Sequence, residues 1–365
     1  MITFFVGTPY QLIAALQIRT RLFTNEAADL YLVETNTDLF LYEQALRSVG
    51  WFQNVYRTDE PRAIYDRSST QAQRFLNYFW PRTKIARLLR TKRYERMFST
   101  ALGFGNTYYF HYLQKGNPDI RFSYFEEGLG MYTAAVFNCP KMMRVLEQLG
   151  FQNVYQQIDG YYLFHPELCT RALPYRMEVI PPLSLDSRIG DVFAQQFQPL
   201  PPQCRYLVLD APFEQQLGVA LDFSPLMKLL REHAPANQIV IKLHPEMKKP
   251  SHGFGDELTL YLTNCPWEAS LFRLDLSRVV LLSVMSNAVF SPKLLFGQAP
   301  TVILLYRLFA EQLLMTPQTA QLFNSITKND LGIRFYIPES WEELDRVLAK
   351  VSEESGHPSS PPHLK

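Results

Sequence analysis

The apolar residues of this chain come in short runs that share one grammar. ITFFV (2–6), DLYLVE (29–34), ERMFST (95–100) and IRFSYF (120–125) lie in the first half, and RYLVLD (205–210), QIVIKL (238–243), RVVLLS (278–283) and TVILLY (301–306) in the second. Each is of strand length, and each is followed by turn residues and then by a stretch with helical spacing. Near-continuous apolar strands are buried on both faces, and strands separated by helices pair in parallel. The pattern predicts an α/β protein with two doubly wound, Rossmann-like parallel sheets. A length of 365 residues also exceeds what one core usually holds.

Two Pro-Pro pairs and scattered polar residues break both periodicities in ALPYRMEVIPPLSLDSRIGDVFAQQFQPLPPQ (172–203). The expected organisation is a domain over 1–172, a linker over 173–203, a second domain over 204–351 and a disordered tail over 352–365. The tail, SEESGHPSSPPHLK, has Ser/Pro composition, so His357 and His363 are assigned no role. Lys and Arg total 36 against 35 Asp and Glu, and a net charge of +1 gives no global field for nucleic acid. Cys139, Cys169, Cys204 and Cys265 are widely spaced, which argues against a zinc site or a disulfide framework and for a reducing compartment. MITFFVGTPYQLIAALQI is apolar, but Gly7 and Pro9 interrupt it, so neither a signal peptide nor a membrane span is expected.

Open parallel sheets bind ligands outside the carboxyl ends of their strands, so the residues following each strand are the candidates. After ITFFV come Gly7, Thr8, Pro9, Tyr10 and Gln11. Thr8 with Gln11 fits a capping box and Pro9 the first helical position, a structural reading that stands beside a substrate-binding one for all five residues, and Gly7 allows a ligand to approach the backbone. After RFSYF come Glu126, Glu127 and Gly128. Against the alternative of a solvated turn, an acid ending an aromatic strand is expected in a poorly hydrated setting. There its pKa rises, reinforced by its neighbour's charge, and it can act as general base.

After IVIKL come His244 and Pro245, with Lys242, Lys248 and Lys249 nearby, which suits an anionic leaving group. The other His-Pro, His165-Pro166, lies beside the expected linker without basic neighbours and reads as structural. Ser286 reads as the N-cap of a helix running to about Phe296, and a helix start is also a phosphate site, with Ser283 and Asn287 as further donors.

Taken in order, TPYQ, FEEG, KLHP and SVMSNAVF resemble the motifs of bacterial sialyltransferases, most closely glycosyltransferase family 52, the lipooligosaccharide sialyltransferases, nearly end to end. The resemblance implies a GT-B fold, with the two domains facing a cleft, and inverting, metal-independent transfer of sialic acid from CMP-sialic acid to a galactose-terminated glycan or glycolipid, with no cofactor. By position, Glu127 resembles the general base, oriented by Glu126, while His244 resembles the histidine that stabilises the departing CMP phosphate and Ser286 the serine that binds it. Related enzymes often carry two adjacent serines where Ser286-Asn287 stands here. The loop DAPFEQQ (210–216) is placed to touch nucleotide or sugar.

Other donors (CMP-Kdo, UDP-glucose), polysialyl transfer and a non-catalytic two-domain binding protein remain alternatives, and a homodimer is also open. PRTKIARLLRTKRYERM (81–97) sets seven basic residues around Ile85, Leu88 and Leu89, after the aromatic run FLNYFWP. It is expected either to be a solvated surface helix or to lie on anionic lipid, which would place a cytoplasmic enzyme on the inner face of the bacterial inner membrane.

Overall fold

The computed structural model describes residues 1–34, 38–58, 84–100, 104–133, 153–170, 175–255, 258–313, 317–328 and 334–356, together with 144, 147 and 148. Two compact units divide the chain, Met1–Gln195 and Gln196–Lys365. In the first, Ile2–Val6 (β1), Ala28–Val33 (β2), Asn54–Thr58 (β3), Arg96–Ser99 (β4), Arg121–Phe125 (β5), Ile158–Leu163 (β6) and Met177–Val179 (β7) form one sheet. Its order is β3-β2-β1-β4-β5-β6-β7, and every adjacent pair is parallel.

In the second unit Tyr206–Leu209 (β8), Ile239–Lys242 (β9), Thr259–Leu260 (β10), Val280–Ser283 (β11), Thr301–Leu304 (β12) and Arg334–Tyr336 (β13) form the sheet. The order is β10-β9-β8-β11-β12-β13, again parallel throughout. The central strands β1, β2, β8 and β11 are buried at every position, as uninterrupted apolar runs require. In each sheet the strand order reverses once, between β1 and β4 and between β8 and β11, and these switch points are where doubly wound sheets hold ligands.

Two expected boundaries change. The stretch expected as a linker contributes β7 to the first sheet, and the carbonyls of Pro181 and Pro182 both accept from the buried Gln17 amide at 2.8 Å. The last helix, Trp341–Gly356, runs past the expected tail boundary, and Ser352 bonds the Tyr206 hydroxyl at 3.2 Å. His357, His363, Cys139 and FLNYFWP lie outside the described residues.

Among its described residues the basic segment is helical over Lys84–Thr91. Ile85 and Leu89 are buried in the core with Tyr108 and Tyr112 of the helix Phe104–Gly116, and Leu88 packs against it. An interfacial helix must bury its apolar face in lipid, and here the protein already occupies that face. The basic face stays on the surface, although Lys92 is bound to buried Asp29 at 3.1 Å and Arg96 to Asp159 at 2.8 Å. Among the described residues no helix is long and apolar enough to cross a membrane.

Candidate active site residues

At the first switch point, β1 leaves the sheet at Gly7 and turns into the helix Pro9–Arg21. Thr8 caps it by accepting the Gln11 N–H at 3.3 Å, and Pro9 stands in the first turn. The return half of the expected capping box is displaced by one residue, because the Gln11 carbonyl oxygen accepts from Gly7 N at 2.7 Å. Its amide nitrogen then reaches Thr100, just past β4, and Glu127, just past β5, at 2.9 Å each.

Successive side chains leaving a strand point to opposite faces, so the two adjacent acids meet different surroundings. Glu126 is fully buried and accepts from the Tyr10 hydroxyl at 2.5 Å, the Phe164 N–H at 2.8 Å and the Tyr132 hydroxyl. Burial raises its pKa and outweighs those donors, each of which favours the charged form. The acid with the expected elevation is therefore Glu126, by desolvation rather than by its neighbour's charge. Enclosed in this way it cannot meet an acceptor sugar.

Glu127 is only partly buried and holds Gln11 through Oε2, and its own N–H points to Met131 Sδ at 3.2 Å. Gly128 follows with φ 131°, a conformation that side-chain-bearing residues avoid, and a Cβ there would meet nothing within 4 Å. The turn itself requires this glycine.

His165, read from the sequence as structural, sits on the same corner. Its N–H donates to the Tyr132 hydroxyl at 3.2 Å, and its Nδ1 lies 2.7 Å from Glu167. The cause is β6, which pairs beside β5 and brings Phe164 and His165 against Glu126.

One strand away from the second switch point, beside β8, Lys242 ends β9 and His244 follows after one residue. No helix follows at once; Pro245 is exposed in a tight turn closed by Met247 N–H on the His244 carbonyl at 2.9 Å. His244 Nδ1 accepts from Glu246 N at 3.3 Å, which leaves the proton of the neutral ring on Nε2. Burial first, and the Lys242 charge in addition, lower its pKa, with Glu246 opposing. At neutral pH this is an uncharged imidazole presenting an N–H donor. Burial lowers the pKa of Lys242 also, and its ammonium reaches only the Leu243 carbonyl, at 3.4 Å, among the described residues.

The DAPFEQQ segment holds this turn in place. Asp210 accepts from the Ser251 N–H and hydroxyl at 2.9 Å each, and Gln216 donates to Glu246 at 3.0 Å. Ser283 is not a ligand donor. It is buried, gives its proton to the Leu209 carbonyl at 2.9 Å, and accepts from Ser286 N at 3.1 Å. It ties β11 to β8 and positions Ser286.

The expected helix from Ser286 is broken into a 3-10 turn, Asn287–Phe290, and a short α-helix, Ser291–Phe296, with Pro292 in its first turn. Ser286 caps the 3-10 turn by accepting from Ala288 N at 3.3 Å, and its hydroxyl proton has no acceptor among the described residues. Asn287 is exposed beside it.

Sequence reading overlooked Thr100, Tyr132 and Glu268. Glu268 lies within electrostatic reach of Lys242, accepts from Ser291 at 3.4 Å, and has its pKa raised by burial. A lone acid in the apolar stretch CPWEASLF was the available signal.

Comparison with known proteins bears on both units. No curated relative matches the chain. Among solved structures, Arabidopsis thaliana UGT89C1 complexed with UDP-L-rhamnose is similar at a TM-score of 0.53 and 12% identity, over 97% of this chain and 90% of that one. The E. coli heptosyltransferase WaaC with ADP has a TM-score of 0.46 and 12% identity, over 97% and 100%. The first of these likenesses, with two parallel α/β sheets, makes the fold GT-B. A model of the alpha-2,8-polysialyltransferase family matches residues 2–306, which hold every candidate residue above. The chain therefore belongs to the alpha-2,8-polysialyltransferase family, and it is a glycosyltransferase of the GT-B fold.

Proposed function

We propose that the protein is an inverting sialyltransferase that moves sialic acid from CMP-sialic acid to a galactoside hydroxyl of lipooligosaccharide or another surface glycan, without a metal ion. The observation that carries this reading is the set of chemistries at the strand exits of each unit: Glu127, a partly buried carboxylate held through one oxygen, and His244 with Ser286, two uncharged donors with protons to give. Glu127 takes the acceptor hydroxyl proton as the oxygen bonds to the anomeric carbon. The bond from that carbon to the phosphate oxygen breaks, its electron pair stays on CMP, and the N–H of His244 and the hydroxyl of Ser286 stabilise the charge. Incubation with CMP-sialic acid and a panel of galactosides, with the linkage and anomeric configuration read by NMR, tests it. Retained configuration, or transfer only from another sugar nucleotide, would replace this reading.

His244→Ala and Ser286→Ala should each weaken CMP binding roughly tenfold and slow transfer, since one hydrogen bond to a charged phosphate contributes on that order. His165→Ala should leave CMP affinity unchanged, because its partners are Glu167 and the acid corner of the first unit. Calorimetry with CMP that ranks the two histidines the other way would show that the wrong His-Pro was chosen. Transfer should also continue in excess EDTA, with donors from the chain neutralising the phosphate. Loss of activity that magnesium or manganese restores would contradict this.

A further inference from the structure

Gln11 was expected to touch substrate, yet its side chain is fully engaged with protein. Its carbonyl oxygen takes the Gly7 N–H at 2.7 Å, and its two amide protons go to Thr100 Oγ1 and Glu127 Oε2, at 2.9 Å each. The Gly7 donor also fixes which way the amide faces, because a rotated amide would set two donors against each other. Three strand ends, those of β1, β4 and β5, thus converge on one side chain.

We propose that Gln11 is the positioning residue of the reaction: it clamps one carboxylate oxygen of Glu127 so that the other is aimed at the acceptor hydroxyl. The inference rests on the reading of Glu127 as the base. A flexible glutamate on a turn with a positive-φ glycine would otherwise sample several rotamers, and a base must lie within hydrogen-bond reach of the proton it removes. Thr100 contributes by holding the second amide proton, and without it the amide is free to swing.

The discriminating variant is Gln11→Glu. The new carboxylate can still accept from Gly7 N–H and from the Thr100 hydroxyl, so only its contact with Glu127 turns from attractive to repulsive. Like charge raises a carboxyl pKa, so the base must reach a higher pH before it ionises. The acidic limb of kcat/KM should move up by about one pH unit or more. The titration of the Glu127 carboxyl, followed by 13C NMR, should move with it. The titratable groups around the acid pair, Glu126, Tyr10, Tyr132 and His165, are unchanged in this variant.

Thr100→Val, close in shape, should lower kcat roughly tenfold with KM little changed, and Thr100→Ser should restore it. Glu127→Gln, measured beside them, separates the two readings. If it abolishes transfer while Gln11→Glu leaves both the pH limb and the NMR titration in place, the base stands and the clamp is overturned. If Glu127→Gln keeps near wild-type turnover, the base assignment fails and the catalytic role of Gln11 goes with it. Should Gln11→Glu not fold, Thr100→Val with wild-type kcat overturns the proposal.

Discussion

Glu127→Gln is expected to lower turnover by about two to four orders of magnitude while CMP binds as before, because a positioned base contributes on that scale and this residue lies in the unit without His244 or Ser286. The amide keeps the shape of the side chain and loses only the capacity to accept a proton. Its cost to folding should be small, since the carboxylate is partly exposed and the new amide can turn its own carbonyl oxygen toward the Gln11 amide nitrogen. Steady-state transfer and CMP calorimetry on one preparation are the measurements. Turnover near wild type, or a loss explained by vanished CMP affinity, would remove Glu127 from the role of base.

The neighbouring acid should behave in the opposite manner. Glu126→Ala strips the acceptor from two tyrosine hydroxyls and the Phe164 N–H, at a site with no solvent access. Unsatisfied buried donors make that a loss of about 2–4 kcal/mol, after allowing Tyr10 to recover water. In a unit of this size that is a drop in melting temperature on the order of 10 °C. The sign with pH follows from the raised pKa of Glu126. The folded state holds this proton at a pH where the unfolded chain has released it, so the group favours folding progressively as pH falls through its raised value toward the ordinary carboxylate range. Glu126→Gln should flatten that component of the melting-temperature profile as pH rises above the ordinary carboxylate range. An Ala variant that melts with the wild type would mean the buried network is not what holds this corner.

These opposed outcomes for adjacent residues bear on what a sequence can disclose. The acid pair was visible in FEEG as a place for chemistry, and its setting at a strand exit followed from RFSYF. Which acid is enclosed was not visible, because the answer comes from Tyr10, Tyr132 and Phe164, and Tyr10 lies 116 residues away along the chain. The two His-Pro motifs show the same boundary. His165 read as structural from its neighbours alone, and its place on the acid corner was hidden because nothing in IDGYYL announces a strand: Asp159 and Gly160 interrupt the apolar run, and only the pairing of β6 with β5 brings the segment to Glu126.

The other unrecognised strands, β3, β7, β10 and β13, are the four sheet edges. Edge strands are short and half-solvated, so they carry neither the continuous apolar run of a central strand nor a long alternation. Ser283 read as a donor and Gln11 as a candidate contact for a ligand because both are polar at strand exits. Whether a hydroxyl or an amide is spent on protein or left for a substrate is settled by partners on other strands, Leu209 for one and Thr100 with Glu127 for the other.

What the sequence determined by itself was the class of fold, every interior strand but β6, and the four exits at which chemistry could stand, because burial on two faces and turn residues are local, periodic signals. Tertiary structure alone decided the strand order, the two switch points, the enclosed and accessible members of the acid pair, and the hydrogen-bond partners of Gln11 and Ser283. Each of these depends on hydrogen bonds between residues far apart in the chain, and a hydrogen-bonding group in a sequence carries no record of the partner it will meet.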